Sequence, residues 1–306
     1  MINKKKLAAN LILLLTAMIW GLGFVAQRAG MEYVGPFTFG ATRFALGALT
    51  LLPIILYTDR KRQNEVAKPD RNGWHKTLYA AGIACGSILF VAANFQQVGL
   101  VFTSAGKAAF ITSLYIVLVP LFGYFFRHKA GLRVWGGVLL AAVGLFLLTV
   151  SERMSMAPGD LIVLIGAFFW ALHILVIDHF LPRVDAIKLA FLQFAVASVL
   201  CAVLMLLREQ PSLAALVMVA VPVFYSGILS VGAGFTLQIV GQRHTSPTVA
   251  SLLLSMESVF GALAGYLLLK ELLTAKELLG CILMFVAIIL SQLPEKSVQS
   301  SDTNIC

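Results

Sequence analysis

The chain is written twice. Displaced by 150 positions, Trp20 falls on Trp170, and Arg43-Phe44-Ala45 falls on Gln193-Phe194-Ala195. Displaced by 142, Gln96, Gly99, Thr103, Ser104, Ala108, Ser113, Gly123 and Tyr124 fall on Gln238, Gly241, Thr245, Ser246, Ala250, Ser255, Gly265 and Tyr266. One further step pairs Gly137 with Gly280. Both copies are nearly all apolar. A duplication of that kind admits few folds and points to a membrane transporter in which one repeat rocks against the other.

Composition decides the solvent. With 59% hydrophobic and 12% charged residues over 306 positions, and a mean hydropathy of +0.91, no soluble domain could hide the apolar surface. A bilayer-spanning helix needs about 20 apolar residues. Ten segments fit: 7–28, 35–57, 77–98, 103–126, 132–151, 159–179, 186–207, 217–241, 247–269 and 276–293. The connections are short and leave no room for a soluble catalytic domain. The first segment is expected to be a retained span rather than a signal peptide, because its apolar core is long and its mate surrounds Trp170.

A net charge of +9 suggests nucleic acid until its distribution is read. With the start of the chain in the cytoplasm, sixteen of the 23 Lys and Arg fall on the cytoplasmic side and five on the other. Lys4-Lys5-Lys6, Arg60-Lys61-Arg62 and Arg127, Lys129 and Arg133 belong to the first group, while Arg43 and Lys107 lie within spans. That bias is the positive-inside rule; it places both termini in the cytoplasm and argues against a nucleic-acid partner. Cys85, Cys201, Cys281 and Cys306 lack metal-ligand spacing. Neither a metal nor a cofactor is expected.

Five spans per copy is the consequential number. After an odd count the second copy enters from the opposite face, so the halves are related by a pseudo-two-fold axis in the membrane plane. The expected fold class is an all-α polytopic membrane protein: ten transmembrane helices as two inverted five-helix repeats around a central cavity. The expected divisions are 1–152, 153–293 and a disordered cytoplasmic tail, 294–306.

Polar residues deep in these spans are the candidate site. Glu257 lies about ten residues from either end of its segment, where a charge costs roughly 2.5–3.5 kcal/mol on insertion scales. It can bind a cationic group of a substrate, carry a proton that competes with substrate, or form a structural pair with Arg43 or Lys107. Its repeat mate is Tyr115, so the site is asymmetric. Arg43 can hold a carboxylate or phosphate, or pair internally; its mate Gln193 supports a polar lining there. Lys107 is only a turn into its span, close enough to snorkel outward. Trp20, Phe24 and Arg28 form one helical stripe, matched by Trp170, Ile174 and Asp178. The tryptophans read as cavity wall, with Arg28 and Asp178 as gate residues near the mouths. His173 reads as a hydrogen-bonded histidine or a proton relay. Gln96 and Gln238, equivalent amides, link helices or contact ligand.

At several of these runs the chain resembles the drug/metabolite transporter superfamily and, within it, the EamA-like transporters. The resemblance rests on Trp20-Gly21, on Pro36 through Arg43-Phe44, on Thr103 to Ile111 leading into Pro120, and on Met256-Glu257-Ser258-Val259-Phe260 through Lys270-Glu271. It implies ten helices, an inner-membrane location, and export or uptake of a small metabolite through a central cavity. Amino acids and related compounds are the family-level expectation, with export as the direction. Two features depart from the pattern. Glu257-Ser258 stands where relatives have Glu-Pro, which predicts a weaker or absent kink, and Arg127-His128-Lys129 stands where many relatives carry an acidic residue.

The sequence therefore predicts a secondary transporter, without enzymatic activity, for a small-molecule substrate. It contains no phosphate-binding loop for ATP. The competing classes are an intramembrane enzyme and a channel-like pore. His173 and Asp178, five apart, do not share a helix face well, and no metal-ligand pattern such as His-Glu-x-x-His occurs.

Overall fold

A computed structural model describes residues 4–63, 71–103, 105–125, 130–149, 158–269 and 274–292. Ser104, the Arg127-His128-Lys129 run, Lys270-Glu271, the division at 152/153 and the tail 294–306 lie outside the described residues. Among those described, the structure is helical throughout.

Helices α1 (Lys4–Gly30), α2 (Pro36–Gln63) and α3 (Arg71–Phe102) are long. Then α4 (Ala105–Ser113) and α5 (Tyr115–Gly123) share one span, and α6 (Leu132–Thr149) follows. The second half repeats the order: α7 (Pro158–Phe180), α8 (Ala186–Arg208) and a short α9 (Leu213–Met218). Next comes a composite helix of α10 (Ala220–Phe224), a π-helix (Tyr225–Phe235) and α11 (Thr236–Gln242). Helices α12 (Pro247–Leu254), α13 (Glu257–Leu269) and α14 (Ala275–Gln292) complete it. Eight spans are long and apolar enough to cross a bilayer, and Leu132–Leu147 is a shorter apolar helix. The remaining expected span falls on the 18-residue α14.

Local chemistry sets several boundaries. Pro36, Pro158 and Pro247 open helices, where the missing N–H removes a donor that would have no partner. Asp185 caps α8 by accepting from Ile187 N and Lys188 N. Thr274 and Glu277 form a reciprocal capping box at α14, with Thr274 N donating to Glu277 Oε2 at 2.7 Å and Glu277 N to Thr274 Oγ1 at 3.2 Å.

The kink expected to be weak or absent is instead a full break. Helix α12 stops at Leu254 and α13 starts at Glu257, with no proline between them. Ser251 and Ser255 donate back to Thr248 O and Leu252 O, which competes with the helical ladder. Its counterpart in the first half breaks at Leu114, between α4 and α5. Serine chemistry does here what the missing proline would have done.

Helices from the two halves interlock. Helix α3 packs on α7 and α8, α2 on α8 and the π-helix, α1 on α13, the π-helix and α11, and α6 on α14. Glycines allow the closest approaches, and two of them in the first half have matched counterparts in the second. A Cβ on Gly99 would stand 3.0 Å from Gly159 O; one on Gly241 would stand 3.2 Å from Ala9 O. Likewise Gly86 faces Gln193 O and Val196, while Gly227 faces Arg43 O and Leu46. In each case the partners are 150 apart. The glycines are not evenly related: Gly86 to Gly99 spans 13 residues, but Gly227 to Gly241 spans 14. The second copy therefore carries one extra residue between matched contacts, and the π-helix, with its wider turn, takes it up.

Candidate functional site

The break at Ser255-Met256 places Glu257 in the first turn of α13, and the break at Leu114 places Tyr115 in the first turn of α5. The repeat mates meet there. Glu257, 3% exposed, accepts at Oε1 from the Tyr115 hydroxyl (3.1 Å) and from the Ser113 hydroxyl (3.3 Å). Ser113 Oγ also lies 2.8 Å from Ser258 Oγ. A carboxyl group at a helix start is placed favourably for the backbone dipole. Among the described residues it is in no ion pair, so neither Arg43 nor Lys107 is its structural partner.

Arg43 lies across the same cavity, 4% exposed. Its Nη1 donates to Gln27 Oε1 at 2.8 Å, and its guanidinium sits 4.9 Å from the Phe44 ring centre and 5.7 Å from that of Phe39. Its Nε is buried without an acceptor. Gln27 Oε1 also accepts from Gln96 Nε2 at 3.1 Å, and Gln96 Oε1 accepts from the Trp170 indole at 2.9 Å. A continuous polar chain thus runs from Arg43 to Trp170.

The cavity between these groups is also lined by Trp20, Phe24, Ile174, Ser230, Phe235 and Gln238. Phe235 is the centre of an aromatic cluster, 4.6 Å from the Trp20 ring and stacked at 5.7 Å on Trp170. The volume open to the centre of a water-sized sphere is about 40 Å³. One water needs only ~10–15 Å³ on that measure, so the chamber has room for a few waters.

Of the residues singled out from sequence, Glu257, Arg43, Trp20, Trp170, Tyr115, Gln96 and Gln238 line this one cavity. His173 and Gln193 stand behind its wall, hydrogen-bonded at 3.0 Å, with His173 edge-on to Trp170 and Phe235. Lys107 is elsewhere, paired with Asp160 at 3.5 Å. Arg28 is exposed and Asp178 half-buried, and neither lines the cavity. Gln27, Ser230 and Phe235 were not foreseen. Gln27 is seven residues beyond Trp20, on the same stripe, and Phe235 precedes Gln238 by one turn. Among the described residues, no three His, Cys, Asp or Glu side chains converge as metal ligands.

Fold and cavity together define a multi-pass helical membrane protein with an internal polar chamber. A family model described as the EamA-like transporter family matches residues 7–150 and, a second time, residues 157–293. The chain belongs to the EamA-like transporter family. It is 30% identical to an uncharacterized transporter of Archaeoglobus fulgidus over 94% of this chain and 87% of that one. It is 25% identical to the uncharacterized inner membrane transporter YedA of Escherichia coli, over 89% and 87% of the two chains. A crystal structure 19% identical in sequence shares the fold with a TM-score of 0.74, covering 93% of this chain and 96% of that one.

Proposed function

We propose that the protein is a secondary transporter that moves a small metabolite of the amino-acid type, with export as the direction, by alternating access. The two halves, 1–152 and 153–293, act as inverted five-helix repeats in an inner membrane with both termini in the cytoplasm. One observation carries this reading. Trp20 and Trp170, Gln96 and Gln238, and Tyr115 and Glu257 are three pairs of repeat mates, and all six side chains line a single cavity. A site built from both copies is the one place that must change shape when one copy moves against the other.

The matched glycine contacts support the symmetry, since the approaches at Gly86 and Gly99 recur at Gly227 and Gly241 with both partners displaced by their repeat offsets. The chemistry supports the substrate class. Arg43 and Glu257 line the same cavity, neither is in an ion pair among the described residues, and intramembrane ionisable groups commonly mark substrate or proton pathways. A molecule with a carboxylate for Arg43, an ammonium for Glu257 and a side chain for the aromatic cluster fits both charges.

Purified protein in sealed liposomes tests this. Saturable counterflow of a labelled amino acid is expected, and Glu257→Gln should lose flux or its pH dependence while folding normally. Wild-type flux with unchanged pH dependence in that variant would remove Glu257 from the mechanism. Flux that never saturates would replace the carrier with a pore.

A further inference from the structure

Equivalent glutamines line the cavity, and only one has its hydrogen bonds made. Gln96 donates to Gln27, and its Oε1 accepts from the Trp170 indole at 2.9 Å and the Thr112 hydroxyl at 3.4 Å. Gln238, its mate, is 1% exposed and its side chain makes no hydrogen bond among the described residues; its Oε1 is buried without a donor.

The repeat explains how Gln238 lost its partners. At the position equivalent to Gln27 stands Ile177, and at that of Thr112 stands Leu254, both fully buried and apolar. Trp20, the mate of Trp170, keeps its indole but gives the N–H to Ser230 O at 3.1 Å. Ser230 belongs to the π-helical stretch where the second copy carries its extra residue, so the competing acceptor comes from the stretch that differs in length from α3. Two substitutions and one insertion strip the same amide. The amide itself remains, facing the cavity.

A buried amide without a partner is costly in a packed protein, and its retention calls for a ligand. We propose that Gln238 is the residue that reads the substrate's N–H donor, its Oε1 accepting from a primary or secondary ammonium whose charge Glu257 meets. Gln96, closed by its own partners, is a positioning residue for Trp170. The inference rests on the cavity being the substrate site, and it adds a selectivity: ammonium groups with N–H to give are preferred over quaternary ones. The aromatic cluster alone would accept either.

Two measurements decide it. In the absence of added compound, Gln238→Leu should raise the midpoint of thermal unfolding of the purified protein, whereas Gln96→Leu should lower it. A fall for Gln238→Leu comparable to that for Gln96→Leu would overturn the proposal, since the amide would then be structural. The second measurement compares binding of phenylalanine with that of its N,N,N-trimethyl derivative, which has the same skeleton without N–H. Wild type should favour phenylalanine, and Gln238→Leu should cut that preference roughly tenfold or more, the worth of one hydrogen bond to a charged donor. An undiminished preference, or a wild type that binds the two equally or binds neither, sinks the ammonium assignment. Failure of the transport reading shows separately, as a wild type without flux in sealed vesicles, while the stability comparison needs no substrate at all.

Discussion

At the scale of single residues, Gln27 holds the first repeat's share of the site together. Its Oε1 takes donors from both Arg43 and Gln96, so one acceptor serves a buried cation and a buried amide. Replacing it with leucine leaves both donors without a partner, and each such group costs about 1–3 kcal/mol, more for a charged one. Gln27→Leu is therefore expected to lower stability by roughly 3 kcal/mol, read as a fall in the denaturation midpoint, while Gln27→Glu should keep the fold because it retains the acceptor and adds a counter-charge. A variant with leucine and wild-type stability would show that Arg43 finds another acceptor. The sequence marked Arg43 and Gln96 but not the residue between them. Its repeat mate is Ile177, so the comparison that exposed the other pairs was silent, and the Trp20 stripe was continued to Arg28, eight residues on, when the inward position was seven.

At the scale of elements, the informative feature is the wide turn Tyr225–Phe235. Spans and their order were legible because hydropathy acts locally. The extra residue was not. Its presence follows only from matching the contacts of Gly227 and Gly241 to those of Gly86 and Gly99, and contacts are tertiary facts. The break at Ser255-Met256 was illegible for a related reason: proline is the local signal for a break, and serine back-bonding makes this one. Deleting Leu229, which is 45% exposed on the outer side, restores the first copy's count between matched glycines. The protein is expected to retain its helix content by circular dichroism, while the Trp20 indole resonance shifts as it leaves Ser230 O. An unmoved resonance would show that the turn does not set that hydrogen bond.

For the whole molecule, the duplicated plan was the most readable property of the chain. The pairs Trp20 with Trp170, Gln96 with Gln238 and Tyr115 with Glu257 were visible as spacing before any of them could be placed in space. Spacing could not tell lining residues from those behind them, which is why His173, Gln193 and Lys107 stood beside Glu257 as candidates. Topology remains a prediction from charge: reporters fused to the two ends should both be active in the cytoplasm, and opposite responses would break the inverted arrangement. The seam of α6 and α14 has a further consequence. There Gly144 faces Gly280 O, and Gly137 faces Ala287 O, yet neither helix contributes to the chamber. The halves are thus stitched together away from the chamber, so on the proposed mechanism opening the chamber to either side need not loosen the molecule. In the proposed alternating-access cycle, this pair would be the fixed fastening about which the remaining helices tilt.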